Sequence, residues 1–415
     1  MLLDLSKSPS EDLDFPVLFP VQDAVNHDPT ARVDWTFDPG RFGLTVNDPI
    51  EPGEFFNNYG PKSNNELLLG YGFCIPDNPY DTVLLTLKQP PEKLQTELRQ
   101  VHPGYFNRDG LWNTDKATFR IRQPSQSEPS SLGQVFNEIP ESLLELLTYM
   151  LRHQRGLPFH FIEQPLKYVT DHSSTGRRYL PHVAHILVSS LAPKLSQLQT
   201  AKLPQHPINA KQCQASIYRD RQAKILTSLI AALRDFTQSM LSAKSSSRLV
   251  NVQGLMQLWS DVSPNQAVNF SAGIEAVAGT SDIPTLLAAG WEDDLIALLL
   301  GYIFIDAASN EMCAAWVQQW RPEYIDSITG TSGASPAVEE DPSMDLSDQR
   351  NSDSLMPLVK SAAEAVGGSL WASPVWKEAY IAHVSQILEH DHLFVGVADP
   401  ETGRERDTFV VYLHA

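Results

Sequence analysis

The spacing of apolar residues predicts strands in the first part of the chain. Up to about residue 88, the apolar positions fall in short β-branched or aromatic runs bounded by Asp, Pro and Gly, which is typical of strands. The clearest runs are RVDWTFD (32–38), RFGLTV (41–46) and DTVLLTLK (81–88). Between the last two runs, Ser63 and Glu66 have the spacing of a capping box, so we expect a short helix over residues 63–69.

From about Pro90 the apolar residues recur at three- and four-residue spacing, which predicts helices. The predicted helices cover residues 91–101, 139–154, 209–243, 255–259 and 293–306. The run DDLIALLLGYIFIDAA (293–308) is too short for a comfortable membrane span and has Asp near both ends, so it predicts a buried helix. The chain is again helical from Leu355, and it closes with HLFVGVADP (392–400) and DTFVVYLHA (407–415), which we expect to pair as strands.

One stretch lacks this periodicity. Residues 326–354 are rich in Ser, Gly, Pro and Asp and almost empty of large apolar side chains. Such a composition cannot bury enough apolar surface to order itself, so it predicts a disordered linker. A chain of 415 residues also exceeds one ordinary hydrophobic core, and we expect two or three domains.

The overall charge narrows the kinds of partner. Hydrophobic residues make up 42% of the chain and charged residues 20%, the balance of a globular protein rather than a disordered or fibrous one. The net charge is −19. Phosphate contacts need clustered Lys and Arg, so a general affinity for nucleic acid or an anionic membrane is not expected. The acidic balance is compatible with a basic protein partner.

Cysteine and histidine spacing predicts neither a disulfide framework nor a metal site. Cys74, Cys213 and Cys313 are scattered without CxxC spacing, which fits a reducing compartment. The histidines of LPHVAH (180–185) and EHDH (389–392) lack further matching ligands, so we expect surface or hinge histidines there and no metal.

Two polar and aromatic motifs stand near the start of the chain. The first, LFPVQDAVNHD (18–28), ends in the pair Asn26 and His27 followed by Asp. The second, IEPGEFFNNYGPKSNNELLLGYGF (50–73), contains a Gly-Glu turn, a YG.KSN.E segment and a YGF ending. In this order the motifs resemble the C-terminal half of a SET domain over residues 18–83. The subclass they match is that of the Rubisco-methyltransferase-like protein lysine methyltransferases.

The resemblance implies an α+β fold, with a partial β-rich SET core followed by a mostly α-helical substrate-binding domain. The motif YRDRQAKIL (218–226) is similar to the helical Rubisco LSMT substrate-binding domain of this subclass. The implied parts are the C-terminal half of a SET domain (1–88), a helical substrate-binding-like domain (89–325), a disordered linker (326–354) and a small α/β C-terminal segment (355–415).

The resemblance also implies catalytic and substrate-binding residues. Tyr59 matches the catalytic tyrosine that lines the lysine channel and orients the amine, and Tyr71 matches the second channel tyrosine. Lys62 and Asn64 match the KSN element that stabilises the loop and edges the substrate groove.

The implied cofactor is S-adenosylmethionine. By resemblance, Asn26 binds its amino-acid end and His27 lies near its adenine, partly through main-chain contacts. Tyr59 and Phe73 complete the implied cofactor site, with Phe73 as a wall or packing residue.

The chemistry of such a site explains its residue types. Methyl transfer to lysine is an in-line displacement by a neutral amine. Since free lysine has a pKa of about 10.4, exposing the neutral amine at neutral pH costs roughly 4–5 kcal/mol. An aromatic channel lowers this cost by desolvating the ammonium, and its ring faces attract the cationic sulfonium. The sequence has no evident general base, which agrees with catalysis by orientation and electrostatic preorganisation.

The chain departs from the family pattern before Asn26. The family has a long region there, with the first SET strands and a glycine-bearing cofactor turn, whereas the first glycine of this chain is Gly40. Half of the cofactor pocket is therefore expected to be absent. Three explanations stay open: a gene model started too far downstream, a degenerate remnant, or a fragment completed by another chain. The abrupt entry into a well-preserved motif favours the first.

Two functions are compatible with these features. The first is an S-adenosylmethionine-dependent protein-lysine N-methyltransferase acting on a non-histone protein, which need not be active as this truncated chain. The alternative is a non-catalytic protein-interaction module that uses the helical domain. The expected partner is a protein that offers a lysine, with no nucleic acid and no membrane. The first residues, MLLDLSKSPSEDLDFP, do not form a signal peptide, so we expect a cytoplasmic and/or nuclear protein.

Overall fold

The structure is a computed structural model that describes residues 24–38, 41–47, 54–124, 134–171, 175–201, 207–242, 247–318, 348–398 and 405–414. It combines helices with small sheets, so the predicted α+β class is confirmed. The chain divides into two units. The first comprises residues 1–83 and 195–226, and the second comprises residues 84–194 and 227–415.

The helices and strands follow one another along the chain as follows. The α-helices are α1 (Asn64–Tyr71), α2 (Glu92–Val101), α3 (Glu141–Gln154), α4 (Pro165–Thr170), α5 (Leu180–Thr200), α6 (Ala210–Ser242), α7 (Val252–Val262), α8 (Pro264–Ala278), α9 (Ile283–Ala288), α10 (Glu292–Asp306), α11 (Glu311–Gln318), α12 (Asp348–Ala365) and α13 (Glu378–Asp391). The strands are β1 (Val33–Asp38), β2 (Arg41–Val46), β3 (Thr82–Thr86), β4 (Thr118–Arg122), β5 (Ser247–Val250), β6 (His392–Ala398) and β7 (Glu405–His414).

The first unit contains a hairpin and a short capped helix. Strands β1 and β2 are antiparallel, with Val33 opposite Val46. Helix α1 starts after Ser63, whose side chain caps the backbone of Glu66 while the Glu66 carboxylate accepts from the Ser63 backbone N–H at 2.9 Å. The helix ends at Gly72, whose φ of 81° lies in the left-handed region that glycine adopts without strain. The predicted strands and the predicted capping box are confirmed.

Two sheets belong wholly or largely to the second unit. Strand β3 pairs with β4. Strands β5, β7 and β6 form a three-stranded sheet in that order, in which β6 and β7 are antiparallel with Phe394 opposite Phe409. The predicted pairing of the last two strands is therefore confirmed.

The core of the second unit is built around α10. Every residue from Leu295 to Ile303 in this helix is buried, which explains its nearly uninterrupted apolar sequence and confirms the predicted buried helix. Tyr302 of this helix packs against two other rings. Its centroid lies 5.4 Å from that of Trp259 and 5.4 Å from that of Phe270, and the centroids of Trp259 and Phe270 are 5.8 Å apart.

The C-terminal segment completes this core. Trp371 lies under Phe270 with ring centroids 5.3 Å apart, and Trp376 packs beside Trp371 at 5.9 Å. A Cβ at Gly273 would come within 2.2 Å of the Trp371 indole nitrogen, so the close approach of α8 to this ring requires glycine. The segment from residue 355, for which the motifs gave no role, is thus part of the second unit's hydrophobic core.

The linker prediction needs one correction. Helix α12 begins at Asp348, so the end of the predicted linker, residues 348–354, is helical. The helix buries Leu355, Val359 and Ala362 in the core. The part of the predicted linker from 326 to 347 lies outside the described residues. The predicted domain limits are otherwise still predictions. Among the described helices, none is both long and apolar enough to cross a lipid bilayer.

A buried ion pair network joins α13 to α3 and to the start of α5. Asp391 is 2% exposed, and its carboxylate contacts Arg155 at 2.7 Å and also accepts from Arg178. Burial alone would raise the pKa of Asp391, but the two guanidinium groups reverse the effect and the pKa lies below its ordinary value. Burial also lowers the pKa of the neighbouring His182 to about 3, so this histidine is neutral.

We expect Asp391→Asn to destabilise the protein by about 3–5 kcal/mol, because it leaves two buried cations without their counter-charge. Urea-induced unfolding followed by tryptophan fluorescence measures this loss. The matched control is Asp220→Asn, which removes an exposed carboxylate from its pair with Arg219 and should change stability by less than about 1 kcal/mol.

The same change has a pH signature. The folded-state pKa of Asp391 is depressed, so its contribution is present above the ordinary carboxyl pKa and is lost as the pH falls through the folded-state value. The variant should lack this part of the acid-induced loss of stability. An equal loss of stability in both variants would contradict the proposed role of the buried network.

Candidate active site

The two motifs of the first unit meet through the backbone. His27 and Asn57 form a parallel β-bridge. The Asn57 N–H donates to the Asn26 carbonyl at 2.8 Å, and the Asp28 N–H donates to the Asn57 carbonyl at 3.0 Å. The Asn-His pair therefore lies beside the segment that carries Tyr59.

Four rings converge at this junction and form what we call the aromatic cluster: His27, Tyr59, Tyr71 and Phe73. His27 stacks on Tyr59 with centroids 4.9 Å apart and planes 13° from parallel. Tyr59 and Tyr71 lie 4.9 Å apart, and Phe73 lies 6.3–6.4 Å from both Tyr71 and His27. Helix α1 and its glycine C-cap bring the last two rings to the cluster, since Tyr71 ends the helix and Phe73 follows Gly72.

Hydrogen bonds fix the orientation of the two central rings. The Tyr59 backbone N–H donates to His27 Nδ1 at 3.1 Å, and the Tyr59 hydroxyl donates to the Val25 carbonyl at 2.5 Å. Nδ1 therefore acts as an acceptor, which leaves the proton of a neutral imidazole on Nε2. Burial lowers the pKa of His27, so the neutral ring is favoured.

Two buried polar atoms beside the cluster have no hydrogen-bond partner among the described residues. They are His27 Nε2 and Asn57 Oδ1. Buried polar atoms are usually satisfied, so an unpaired donor and an unpaired acceptor on two bridged residues fit the recognition of a polar ligand. The resemblance implies S-adenosylmethionine binding in this part of the first unit, and this stays a prediction.

The other implied cofactor residue, Asn26, is exposed and its side-chain amide donates to the Glu54 carboxylate. This contact joins the Asn-His pair to the Gly-Glu turn of the second motif. The partnership could not be predicted from the spacing of the two motifs, because it spans 28 residues.

Asn64 sits in a buried network. It is 0% exposed and its side-chain amide donates to the Ile75 carbonyl at 2.9 Å and to Asp81 at 3.1 Å. The side-chain oxygen of Asn64, Oδ1, accepts from the Ile75 N–H at 2.9 Å and from the Asn78 side-chain amide at 3.2 Å. These are contacts that stabilise the loop, and contact with a substrate is still a prediction for this residue.

The sequence motifs gave no role to Asn78 or Asp81, which are central to this network. Asp81 is 2% exposed and accepts from the Asn64 backbone N–H at 2.9 Å. Burial raises the pKa of Asp81, and the hydrogen bonds from Asn64 and Thr82 oppose that rise. Two polar residues next to an apolar strand in NPYDTVLL were the available signal, although polar residues at a strand start usually indicate a turn.

The first half of α6 supports the same loop. The Arg221 guanidinium donates to the Asn78 carbonyl at 3.1 Å, and the Gln222 amide donates to the Thr82 carbonyl at 2.9 Å. Gln214 accepts from the Cys74 N–H at 2.6 Å. The motif YRDRQAKIL therefore contributes its Arg and Gln to the loop that follows the aromatic cluster.

An open cavity of about 510 Å³ lies on the same unit. It is lined by the hairpin and by the segment around Tyr59: Ala31, Arg32, Val33, Asp34, Trp35, Asn47, Asn58, Gly60, Pro61 and Tyr80. Since Asn58 and Gly60 flank Tyr59 in sequence, the cavity adjoins the backbone that carries the implied catalytic ring. Its volume is in the range of ligand-binding clefts.

The histidine groups weighed as metal sites have different surroundings. His182 is buried in the Asp391 network, and the His392 ring stacks on Phe409 at 5.0 Å. Within the residues that the structure describes, no group of three or more His, Cys, Asp or Glu side chains could hold a metal ion.

Comparison with known proteins adds independent information. No family model matches the chain. It is 28% identical over 303 residues to the ribosomal lysine N-methyltransferase set10 of Schizosaccharomyces pombe, an alignment that covers 69% of this chain and 51% of that protein. It is 31% identical over 148 residues to the ribosomal lysine N-methyltransferase 1 of Saccharomyces cerevisiae, covering 32% of this chain and 25% of that protein.

A third relative extends the pattern. The chain is 33% identical over 138 residues to the protein-lysine N-methyltransferase EFM1 of Saccharomyces cerevisiae, covering 32% of this chain and 21% of that protein. The chain thus spans about half the length of the first relative and less of the other two. Its similarity is to protein-lysine methyltransferases, as the motifs predict.

We expect Asn64→Ala to lower the stability of the protein by about 3 kcal/mol, because it removes one hydrogen bond from the buried Asp81 carboxylate and takes the side-chain partner from the Ile75 N–H and carbonyl. Thermal unfolding monitored by circular dichroism measures the change. The control is the adjacent Asn65→Ala, whose side chain makes no hydrogen bond among the described residues and whose replacement should leave stability unchanged or slightly raised. A similar effect of both substitutions would show that the network does not stabilise the loop.

Proposed function

We propose that this chain is an S-adenosylmethionine-dependent protein-lysine N-methyltransferase, or a piece of one, and that its first unit corresponds to the C-terminal half of a SET domain of the Rubisco-methyltransferase-like subclass. The observation that carries the proposal is the aromatic cluster, with the unpaired His27 Nε2 and Asn57 Oδ1 beside it. The similarity to three proteins named lysine methyltransferases supports the same activity.

The side chains suit the binding of the cofactor. Asn26, His27, Tyr59 and Phe73 would hold S-adenosylmethionine, which supplies an electrophilic methyl group on a sulfonium. Neutral His27 adds no positive charge that would repel this cation, and the Nε2–H can donate to an acceptor on the ligand. The faces of Tyr59 and Phe73 favour a cation by their ring quadrupoles.

Tyr59 has the geometry to orient an amine. Its hydroxyl donates its proton to the Val25 carbonyl, so toward a lysine N–H this oxygen can act only as an acceptor. Its ring stacks on the imidazole of His27 and also contacts the ring of Tyr71, with centroids 4.9 Å apart in both pairs. A ring fixed in this way orients the amine without an ordering cost at the moment of reaction.

The cluster also favours the reactive form of the substrate. Transfer from water to a site walled by rings disfavours the ammonium relative to the neutral amine. The lysine proton can pass to water before the transfer, so the residues of the site need not include a strong base.

The substrate we propose is a lysine on a ribosomal or other non-histone protein, as the names of the relatives set10 and ribosomal lysine N-methyltransferase 1 suggest. The open cavity beside Tyr59, with Trp35, Asp34 and Tyr80 in its lining, suits an extended basic segment of such a protein. The net charge of −19 would speed its encounter with basic proteins. We propose a cytoplasmic and/or nuclear location, as the names of these two ribosomal methyltransferases suggest.

The alternative is a non-catalytic interaction module that uses the helical domain. It makes no demand on His27 or Tyr59 beyond packing. Cofactor binding by the purified chain therefore separates the two functions.

The first measurement is a calorimetric titration of S-adenosylmethionine into the purified 415-residue chain. We expect binding in the micromolar range, weakened about tenfold or more by Asn26→Ala, because a hydrogen bond to a charged group contributes about 1.5–3 kcal/mol. The control is Asn65→Ala, which should bind as tightly as the unchanged chain. Absence of binding by a folded chain would favour the non-catalytic alternative.

We expect Tyr59→Phe to reduce methyl transfer by about a hundredfold while S-adenosylmethionine still binds, because the ring remains and only the orienting oxygen is lost. Transfer of a labelled methyl group to isolated ribosomal proteins measures this effect. Tyr168→Phe is the control, since among the described residues its hydroxyl accepts a long 3.5 Å bond from Arg152 in the second unit. Unchanged transfer by Tyr59→Phe would exclude Tyr59 as the catalytic tyrosine.

A further inference from the structure

Lys62 brings a positive charge to the aromatic cluster. Its ammonium nitrogen lies 5.9 Å from the centroid of the Tyr71 ring, within the range of a cation–π contact. Its charge also acts on His27: burial and Lys62 lower the pKa of that imidazole, while the Asn57 backbone and Asp28 raise it. The Lys62 ammonium therefore interacts with two members of the cluster, Tyr71 and His27.

The backbone of Lys62 is held in place. Its N–H donates to the Gly60 carbonyl at 2.9 Å, and its carbonyl accepts from Asn78 at 2.9 Å. Asn78 is fully buried and belongs to the Asn64 and Asp81 network. The side chain thus starts from a fixed backbone position next to Ser63, the N-cap of α1.

We propose that Lys62 supplies a fixed positive charge that disfavours the ammonium form of an incoming substrate lysine and so favours the neutral amine that accepts the methyl group. The proposal rests on the proposed methyltransferase function. It gives Lys62 an electrostatic role at the site, beyond its implied place at the edge of a substrate groove.

The physical basis is repulsion between like charges. A cation within about 4–6 Å of a second amine favours the neutral form of that amine. At the effective dielectric constant of a partly exposed site, the effect on a substrate lysine is on the order of one pH unit. The reaction balances without a further reactant: the lysine loses a proton to water, its nitrogen forms a bond to the methyl carbon, and the sulfur leaves as a neutral thioether.

Acidic groups around the cluster are engaged elsewhere. Asp28 accepts from the Thr30 backbone and hydroxyl, and Glu54 accepts from Asn26. Glu66 accepts from the Ser63 N–H and hydroxyl in the capping box. Asp28 also opposes the effect of Lys62 on the pKa of His27, and Arg32 and Asp34 line the cavity beside Tyr59.

The same charge has an opposite effect on the cofactor. A cation at the rim repels the sulfonium of S-adenosylmethionine but not the neutral thioether of S-adenosylhomocysteine. Removing the charge should therefore strengthen binding of the first by several-fold and leave binding of the second unchanged. A residue with a merely structural role would alter both affinities in the same direction.

The test compares Lys62→Met, which removes the charge, with Lys62→Arg, which keeps it, and with Lys88→Met, which removes an exposed lysine elsewhere. Histidine-selective nuclear magnetic resonance of the full chain follows the titration of His27, assigned by its loss in His27→Asn. We expect the pKa of His27 to rise in Lys62→Met and to stay unchanged in the other two variants. An unchanged His27 titration in Lys62→Met would overturn the proposal whatever the activity.

The activity measurement then uses the pH dependence of methyl transfer. For Lys62→Met, we expect the profile to move by about one pH unit to the alkaline side, with a roughly tenfold lower rate at neutral pH and recovery at high pH. Lys62→Arg should retain the original profile. A rate that falls equally at every pH would assign Lys62 a structural role and overturn the proposal.

The failures of the two proposals can be told apart. If the unchanged chain neither binds S-adenosylmethionine nor transfers methyl groups, the proposed function fails and this inference fails with it. If the unchanged chain is active and Lys62→Met keeps both the pH profile and the ratio of the two cofactor affinities, only the electrostatic role of Lys62 fails.

Discussion

The buried carboxylate of Asp81 is the interaction on which the rest of the candidate site depends. A carboxylate at 2% exposure is costly unless hydrogen bonds satisfy it, and the Asn64 backbone and side chain and the Thr82 N–H do so. The Arg221 guanidinium lies 3.9 Å away and adds an opposite charge. Because Asn64 opens α1, the position of that helix follows from this network. The helix in turn delivers Tyr71 and Phe73 to His27 and Tyr59.

The elements that the sequence predicts well are those set by local chemistry. The capping box of Ser63 and Glu66 fixes the start of α1 within four residues of chain, and a glycine with positive φ ends it. The alternating β-branched runs are likewise decided by side chains within a few positions of one another. The sequence motifs around Asn26 and Tyr59 also indicated a single candidate site, and the two segments do lie together, although the roles of their residues are still predictions.

The contacts that hold the site together could not be predicted in this way. Asp81 and Asn64 are 17 residues apart, and Gln222 is 140 residues from the Thr82 carbonyl that it binds. No local pattern distinguishes a buried Asp or Asn from one in a solvated turn, since both occur next to Pro and Gly. The start of α12 could not be predicted for the same reason. The helix begins in a Ser- and Asp-rich stretch, and Leu355, which follows that stretch, is buried in a core formed by helices distant in sequence.

The charge of the whole chain and the charge of the site follow different rules. A net charge of −19 sets the long-range electrostatic field, which affects encounter with a basic protein. At ordinary salt concentrations, ions screen this field over a distance of about 10 Å. At the distances inside the aromatic cluster, single groups decide: a neutral imidazole at His27, one ammonium at Lys62, and carboxylates already engaged by caps and turns. An acidic protein can therefore place a single ammonium beside these rings. For a reaction that needs an uncharged amine, the local arrangement is the relevant quantity, because the protonation state of the substrate is set by the nearest charges and by the loss of water, not by the average of the surface.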